Sequence, residues 1–243
     1  MPGTSREEFL KSVRTALKRP EGAPATPYPR LAEDVATLRR RVAEVEARLE
    51  RARPALVERF VEMAPKSGWT LVRAADHAQG LARLGELAHE RGWRNALRSD
   101  HPVFQRLPLA ALVPSLDVRL MALSTGRARE ALRHEVTENT DVGITGVTYA
   151  MAETATVVLL PQKGVSRLVS LLPPVHVAVV ETSQVIESMD DLFLFRRLAY
   201  YEGGMDMGSS MNFITGPSRT GDIEQTVVTG VHGPREVSLL LIG

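Results

Sequence analysis

The sequence predicts an α/β domain, a mainly parallel sheet with helices on both faces, preceded by an N-terminal helical segment. Three observations carry that prediction. Short apolar runs, mostly β-branched, recur between residues 69 and 242. Segments with helical spacing lie between several of them, which is the order of a parallel sheet and its crossovers. Runs such as Val175-His176-Val177-Ala178-Val179-Val180 are apolar without alternation, as strands covered on both faces are. We place a helical extension at 1–64 and the α/β domain at 65–243.

The elements are taken in chain order. Residues 5–18 read as a short amphipathic helix: Phe9, Leu10, Val13 and Leu17 share a face, and Ser5 with Glu8 forms a capping box. Pro20, Pro24, Pro27 and Pro29 make 19–30 a linker that leaves the first helix free to dock elsewhere. From Leu31 the apolar positions Val35, Leu38, Val42, Val45, Leu49, Ala52 and Leu56 step by four and three. That seam fits a coiled coil with a partner or a long helix lying on its own core, and Pro54, interrupting it, favours the second. After Pro65, strands are expected at 69–72, 118–123, 157–160, 175–180, 211–214 and 237–242. Helices are expected at 75–91, closed by Gly92, and from near Arg127.

Composition excludes several kinds of chemistry. The 243 residues carry a formal net charge of +1, so no overall field recruits nucleic acid or an anionic membrane. Aromatic residues are only 5%, with no basic–aromatic interleaving. Cysteine is absent, which removes thiol nucleophiles and cysteine-held zinc or iron–sulfur clusters from this chain. No apolar run reaches the roughly 20 residues of a membrane span, and the N-terminus lacks the apolar core of a signal peptide, so the chain reads as cytoplasmic.

Four segments concentrate small, polar and charged residues near strand ends, and we expect them where ligands sit in open α/β sheets, outside the strand carboxyl ends. They are Ala152-Glu153-Thr154, Pro173-Pro174-Val175-His176, Gly216-Pro217-Ser218-Arg219-Thr220-Gly221-Asp222-Ile223-Glu224 and Gly230-Val231-His232-Gly233-Pro234-Arg235. The third has the glycine spacing of a phosphate-binding loop, yet Asp222 and Ile223 stand where Lys and Ser or Thr are required. It also falls short of a nucleophile elbow, ending in Thr220. Read as strand, turn and helix start, it offers free N–H groups with Gly216, Ser218, Arg219 and Thr220 to a carboxylate or phosphate. Asp222 and Glu224 there are equally a helix cap that would weaken anion binding. Glu153 is a candidate base or nucleophile, or a backbone cap. His176 and His232, with Glu153 or Asp222, could form a two-histidine, one-carboxylate metal set, but nothing local enforces it. Histidines that hydrogen-bond backbone are the plainer account, and no metal is assigned. His77, His89, His101 and His134 receive no role.

Taken in order, Val142-Gly143-Ile144-Thr145-Gly146, Ala152-Glu153-Thr154, Leu171-Leu172-Pro173-Pro174-Val175-His176 and the Gly216 and Gly230 segments resemble the lactate-utilisation C proteins, or LUD-domain family. The family often has Gly after Ala-Glu-Thr, where this chain has Ala155. The resemblance implies a fold similar to the sugar-phosphate isomerase and CoA-transferase superfold. It also implies a place in bacterial oxidation of L-lactate to pyruvate beside partner proteins carrying iron–sulfur clusters, with no cofactor in this chain. Two functions are expected on this basis. One is an accessory subunit binding a small carboxylate, a phosphate or a partner's anionic group through Thr154, Gly216, Ser218, Arg219, Thr220 and Asp222. The other is a free-standing enzyme on a small phosphorylated or acyl substrate, with Glu153, His176 and His232 catalytic and Arg219 on the anion.

Overall fold

The computed structural model describes residues 5–18, 33–111, 117–120, 134, 138–160, 167–204, 210–221 and 227–243. The chain divides into two units, 1–40 and 41–243. The first contains α1 (Arg6–Ala16) and the opening of α2 (Val35–Lys66). Ser5 and Glu8 form the expected capping box, and no residue of α1 is buried. Asp34 starts α2 by accepting from Thr37 N at 2.9 Å. The proline-rich stretch at 19–30 and the helix expected from Arg127 lie outside the described residues.

α2 does not break at Pro54; both Pro54 and Pro65 lie inside it. A proline mid-helix costs about 3 kcal/mol. Leu49, Leu56, Val57, Phe60 and Ala64 of the same helix are buried in the main hydrophobic cluster, which offsets that cost.

Six strands form one all-parallel sheet: β1 (Thr70–Ala74), β2 (Asn95–Arg98), β3 (Asp117–Leu120), β4 (Val142–Gly146), β7 (Val175–Glu181) and β12 (Glu236–Ile242), in the order β1-β12-β7-β4-β2-β3. β5 (Tyr149–Met151), β6 (Thr156–Leu159), β8 (Val185–Ile186) and β9 (Asn212–Ile214) make a second, mixed sheet that the sequence did not suggest. The apolar runs at 157–160 and 211–214 thus belong to this smaller sheet, paired antiparallel. β10 (Arg219–Gly221) and β11 (Val227–Thr229) close a separate hairpin.

The two faces of the parallel sheet are distinct. Ala178, Val180, Leu239 and Leu241 pack with α2 and the second sheet. Val177, Val179, Val142, Ile144 and Leu240 pack with α3 (His77–Arg91) and α4 (Val103–Arg106). Gly92 ends α3 in the left-handed region at φ 65, as its position after the last apolar turn predicted. α5 (Leu168–Leu171) lies so close to β4 that a Cβ on Gly143 would overlap the Val169 carbonyl. α6 (Met189–Glu202) adds Leu192 to the first face.

Candidate functional site

The segments singled out in the sequence do meet, but at the amino edge of the parallel sheet. Residues 173–174 precede β7 and 230–235 precede β12, and the two strands run parallel, so both loops lie at the edge opposite to the one expected. The expectation of carboxyl ends took a loop's place beside a strand without its order along the chain.

Residues 216–221 are not a helix start either. Arg219, Thr220 and Gly221 pair with Thr229, Val228 and Val227 as a hairpin, so no row of free helical N–H groups exists in this segment. Three contacts clasp it to the next loop. Ser218 N donates to Pro234 O at 3.0 Å, Gly230 N to Ser218 O at 2.9 Å, and His232 N to Ser218 Oγ at 3.3 Å. Ser218 is therefore occupied with main chain. Asp222 lies outside the described residues.

The end of α2 anchors the rest. Ser67 Oγ donates to Thr154 O at 2.8 Å, and Trp69 Nε1 to Ala155 O at 3.0 Å. Gly216, at φ 135, sits where any Cβ would overlap the Ser67 carbonyl, and a Cβ on Gly68 would fall 2.7 Å from a terminal nitrogen of Arg219. The hydroxyls of Thr154, Thr156 and Thr215 form a chain with 2.7 Å steps. Ala155 holds φ 52, the left-handed region that favours glycine. Glu153 is exposed; its N–H donates to Glu187 O at 3.2 Å.

His176 lies beneath this rim, fully buried. Its Nε2 is 2.8 Å from Thr145 Oγ1, its ring centroid is 6.4 Å from that of Trp69, and its Nδ1 has no partner. Burial drives its pKa down to about 3, so it is neutral at physiological pH. A ligand on the rim does not reach it. Arg219, His232 and Arg235 are exposed, and among the described residues none has an acidic partner. No group of three or more His, Asp or Glu side chains among the described residues is arranged to hold a metal ion.

The carboxyl edge carries a second polar cluster that sequence reasoning missed. Glu181 ends β7 and is gripped by Arg106 through contacts of 2.6 Å to both oxygens, while His77 Nε2 stands 2.8 Å away. Burial alone would raise the Glu181 pKa; the hydrogen bonds from Arg106 and His77 outweigh it and hold the carboxyl below its usual range. Across β4, the imidazole of His101 fills the space where Gly146 lacks a side chain. Burial lowers the His101 pKa, Glu181 opposes that, and Arg106 adds to it. Arg98 lies 5.4 Å over the Phe104 ring and donates to Ser99 O at 3.3 Å. Ser99 is fully buried with an unpartnered Oγ. A separate groove of about 790 Å³ runs between α2 and α6, floored by Tyr149, Val185 and Ile186 and flanked by Glu46, Glu50 and Glu202.

No helix among the described residues is long and apolar enough to cross a membrane. The family model of the LUD domain matches residues 57–242. Lactate utilization protein C of Halalkalibacterium halodurans is 31% identical over 159 residues, 65% of this chain and 67% of that protein. Its namesake from a Geobacillus species is 31% identical over 165 residues, 65% and 66% of the two chains. That of Bacillus subtilis is 38% identical over 107 residues, 43% of each. The chain thus spans between 43% and 67% of the length of these relatives. A crystal structure of a DUF162 family protein from Deinococcus radiodurans superposes with a TM-score of 0.54 at 19% identity, covering 79% of this chain and 98% of that one, and shares its fold. With its α/β sheet and a family match running from within α2 to the last strand, this chain belongs to the LUD domain family.

Proposed function

We propose that the chain is a component of a bacterial, cytoplasmic system that oxidises L-lactate to pyruvate, acting beside iron–sulfur partner proteins as an accessory, small-anion-binding subunit. The names of its relatives support the lactate setting. The absence of cysteine in this chain fits clusters carried by others. One structural observation carries the anion-binding part: segments distant in sequence, at 67–69, 154–156, 215–219 and 230–235, meet at one edge of the sheet. There they present the cationic side chains of Arg219 and Arg235, with His232, without acidic partners among the described residues. Guanidinium groups on a rigid frame are suited to a carboxylate or phosphate.

The test is growth on L-lactate of a strain whose own copy is replaced by Arg219→Ala, beside a clean deletion with no duplicate gene. The deletion is expected to stop growth and Arg219→Ala to slow it. Normal growth of the deletion strain overturns the assignment.

A second reading, a free-standing enzyme using Glu153 and Arg219, is favoured by one observation. Glu153 is exposed in a turn where Ala155 holds a strained φ, and such strain gathers at working sites. It requires Glu153→Gln to abolish turnover of a small acyl or phosphorylated substrate while thermal stability stays unchanged.

A further inference from the structure

The groove between α2 and α6 has the form of a seat for a helix. Its α2 wall runs from Val42 to Arg53, a length of about 16 Å at the helical rise per residue. Ala43 and Ala47 keep that wall low: both are exposed and they stand one turn apart, so another helix can approach closely. The floor is aromatic. The rings of Tyr149 and Phe195, both partly exposed, stack with centroids 5.9 Å apart. Every residue lining the groove lies within the second unit, 41–243. We propose that this groove receives α1 of a second copy of the chain, and that two copies exchange their first helices to form a closed dimer.

α1 matches the seat in length, face and charge. It has 11 residues, again about 16 Å. Phe9, Leu10, Val13 and Leu17 share one face, yet no residue of the helix is buried, and Phe9 and Leu17 are 58% and 61% exposed. A helix this short is marginal in water unless its apolar face is covered. Lys11 and Arg14, three residues apart, stand together beside that face. The groove is flanked by Glu46, Glu50 and Glu202. Its cation, Arg53, is already bonded to Glu50 and to the carbonyls of Thr182 and Ser183, so an incoming helix meets an acidic excess. The carboxylates of α1, Glu7 and Glu8, lie in its first turn, and Glu8 is held in the cap by Ser5.

The sequence between the two helices favours a second copy over a return to the same chain. A segment carrying Pro20, Pro24, Pro27 and Pro29 prefers extended backbone, at about 3.1 Å per residue. The groove opens at Val42, only about 10 Å along α2 from its first residue, Val35. Extension carries a helix past so near a seat and toward a neighbouring molecule. Mutual exchange fills both grooves by the same contact and leaves no open end for a third copy. An amphipathic helix laid in an apolar trough is also a common mode of recognition between chains. None of the rim residues takes part, and the inference stands apart from the lactate reading.

The experiment is sedimentation velocity of the full chain from about 1 to 100 μM, with a dimer expected within that range. Phe9→Asp, a change at an exposed position, is expected to weaken association at least about tenfold without lowering the Tm of the main body. Glu46→Arg should weaken it too, and adding Lys11→Glu and Arg14→Glu to the same chain should recover it. Ala47→Trp fills the seat and should also give a monomer. Mixing Phe9→Asp with Ala47→Trp is expected to restore association, because one intact helix and one intact groove remain. A monomer at every concentration overturns the proposal, including one whose α1 amides exchange slowly because the helix has returned to its own groove. So does a dimer that Phe9→Asp, Glu46→Arg or Ala47→Trp leaves unchanged. Failure of the mixed variants to associate overturns the exchange.

Discussion

His176 Nε2 and Thr145 Oγ1 stand 2.8 Å apart inside the sheet, joining β7 to β4 by a side-chain bond under the amino-edge rim. The histidine is wholly enclosed and its second nitrogen is unpartnered, so it cannot be charged without disrupting the sheet. Its folded pKa is depressed from the ordinary 6.5 to about 3, and the consequence for stability has a definite sign. The stability it contributes is complete above pH 6.5 and is lost as pH falls toward 3, with a slope of up to about 1.4 kcal/mol per pH unit. Urea unfolding at several pH values in that window measures it. His176→Gln should cost about 1–3 kcal/mol at pH 7 and flatten the acid slope. An unchanged slope in the variant would show that another group is responsible.

Glu181 has the opposite starting point. Its folded pKa is held below the usual carboxylate range, so its pairing with Arg106 and His77 stabilises the protein above pH 4.5 and is lost as pH falls through the lowered value. Arg106 is about half exposed, at 53%, so the pair contributes modestly. Glu181→Gln is expected to cost about 1 kcal/mol at pH 7, and less as pH falls through the lowered value, read by the same unfolding curves.

Two glycines separate a steric demand from a conformational one. Gly92→Ala meets nothing within 4 Å and suffers only from φ 65, so a loss of about 1 kcal/mol is expected. Gly143→Ala drives a methyl group into the Val169 carbonyl of α5 and requires backbone to move. A loss of about 3 kcal/mol or more is expected, measured as a fall in Tm at least twice that of Gly92→Ala.

Pro54 offers a gain. It is exposed, inside an unbroken helix, and supplies no backbone N–H. Pro54→Ala should raise stability by about 1–3 kcal/mol, a rise in Tm of several degrees. A drop in Tm would mean that a kink at Pro54 is needed to seat α2.

The sequence made the repeating frame legible and left the edges obscure. The runs at 175–180 and 237–242 announced central strands because burial on both faces forces continuous apolar character. β2, at 95–98, was hidden because Arg98 and Asn95 interrupt a four-residue strand. The β10–β11 hairpin was mistaken for a helix start because Gly and Pro mark a turn without specifying the element after it. The gathering of Thr154, Gly216, Ser218 and His232 was legible from their small, polar character; which edge they occupy was not, since that depends on whether a loop enters or leaves its strand. The carboxyl-edge cluster had a fainter signal: Glu181 closes the apolar run of β7, and His101 comes three residues after the end of β2. Neither stands in a motif, and strand order, which only the fold supplies, is what unites them with His77 and Arg106.

The close seating of Ser67, Gly68 and Trp69 against Thr154, Ala155, Gly216 and Arg219 bears on how this domain can be trimmed or recombined. A fragment begun at residue 70 would keep every strand of the parallel sheet yet leave the 154 and 216 turns without the abutment that fixes their spacing. The smallest portable piece therefore opens inside α2, and a fusion partner or affinity handle is best joined ahead of that helix.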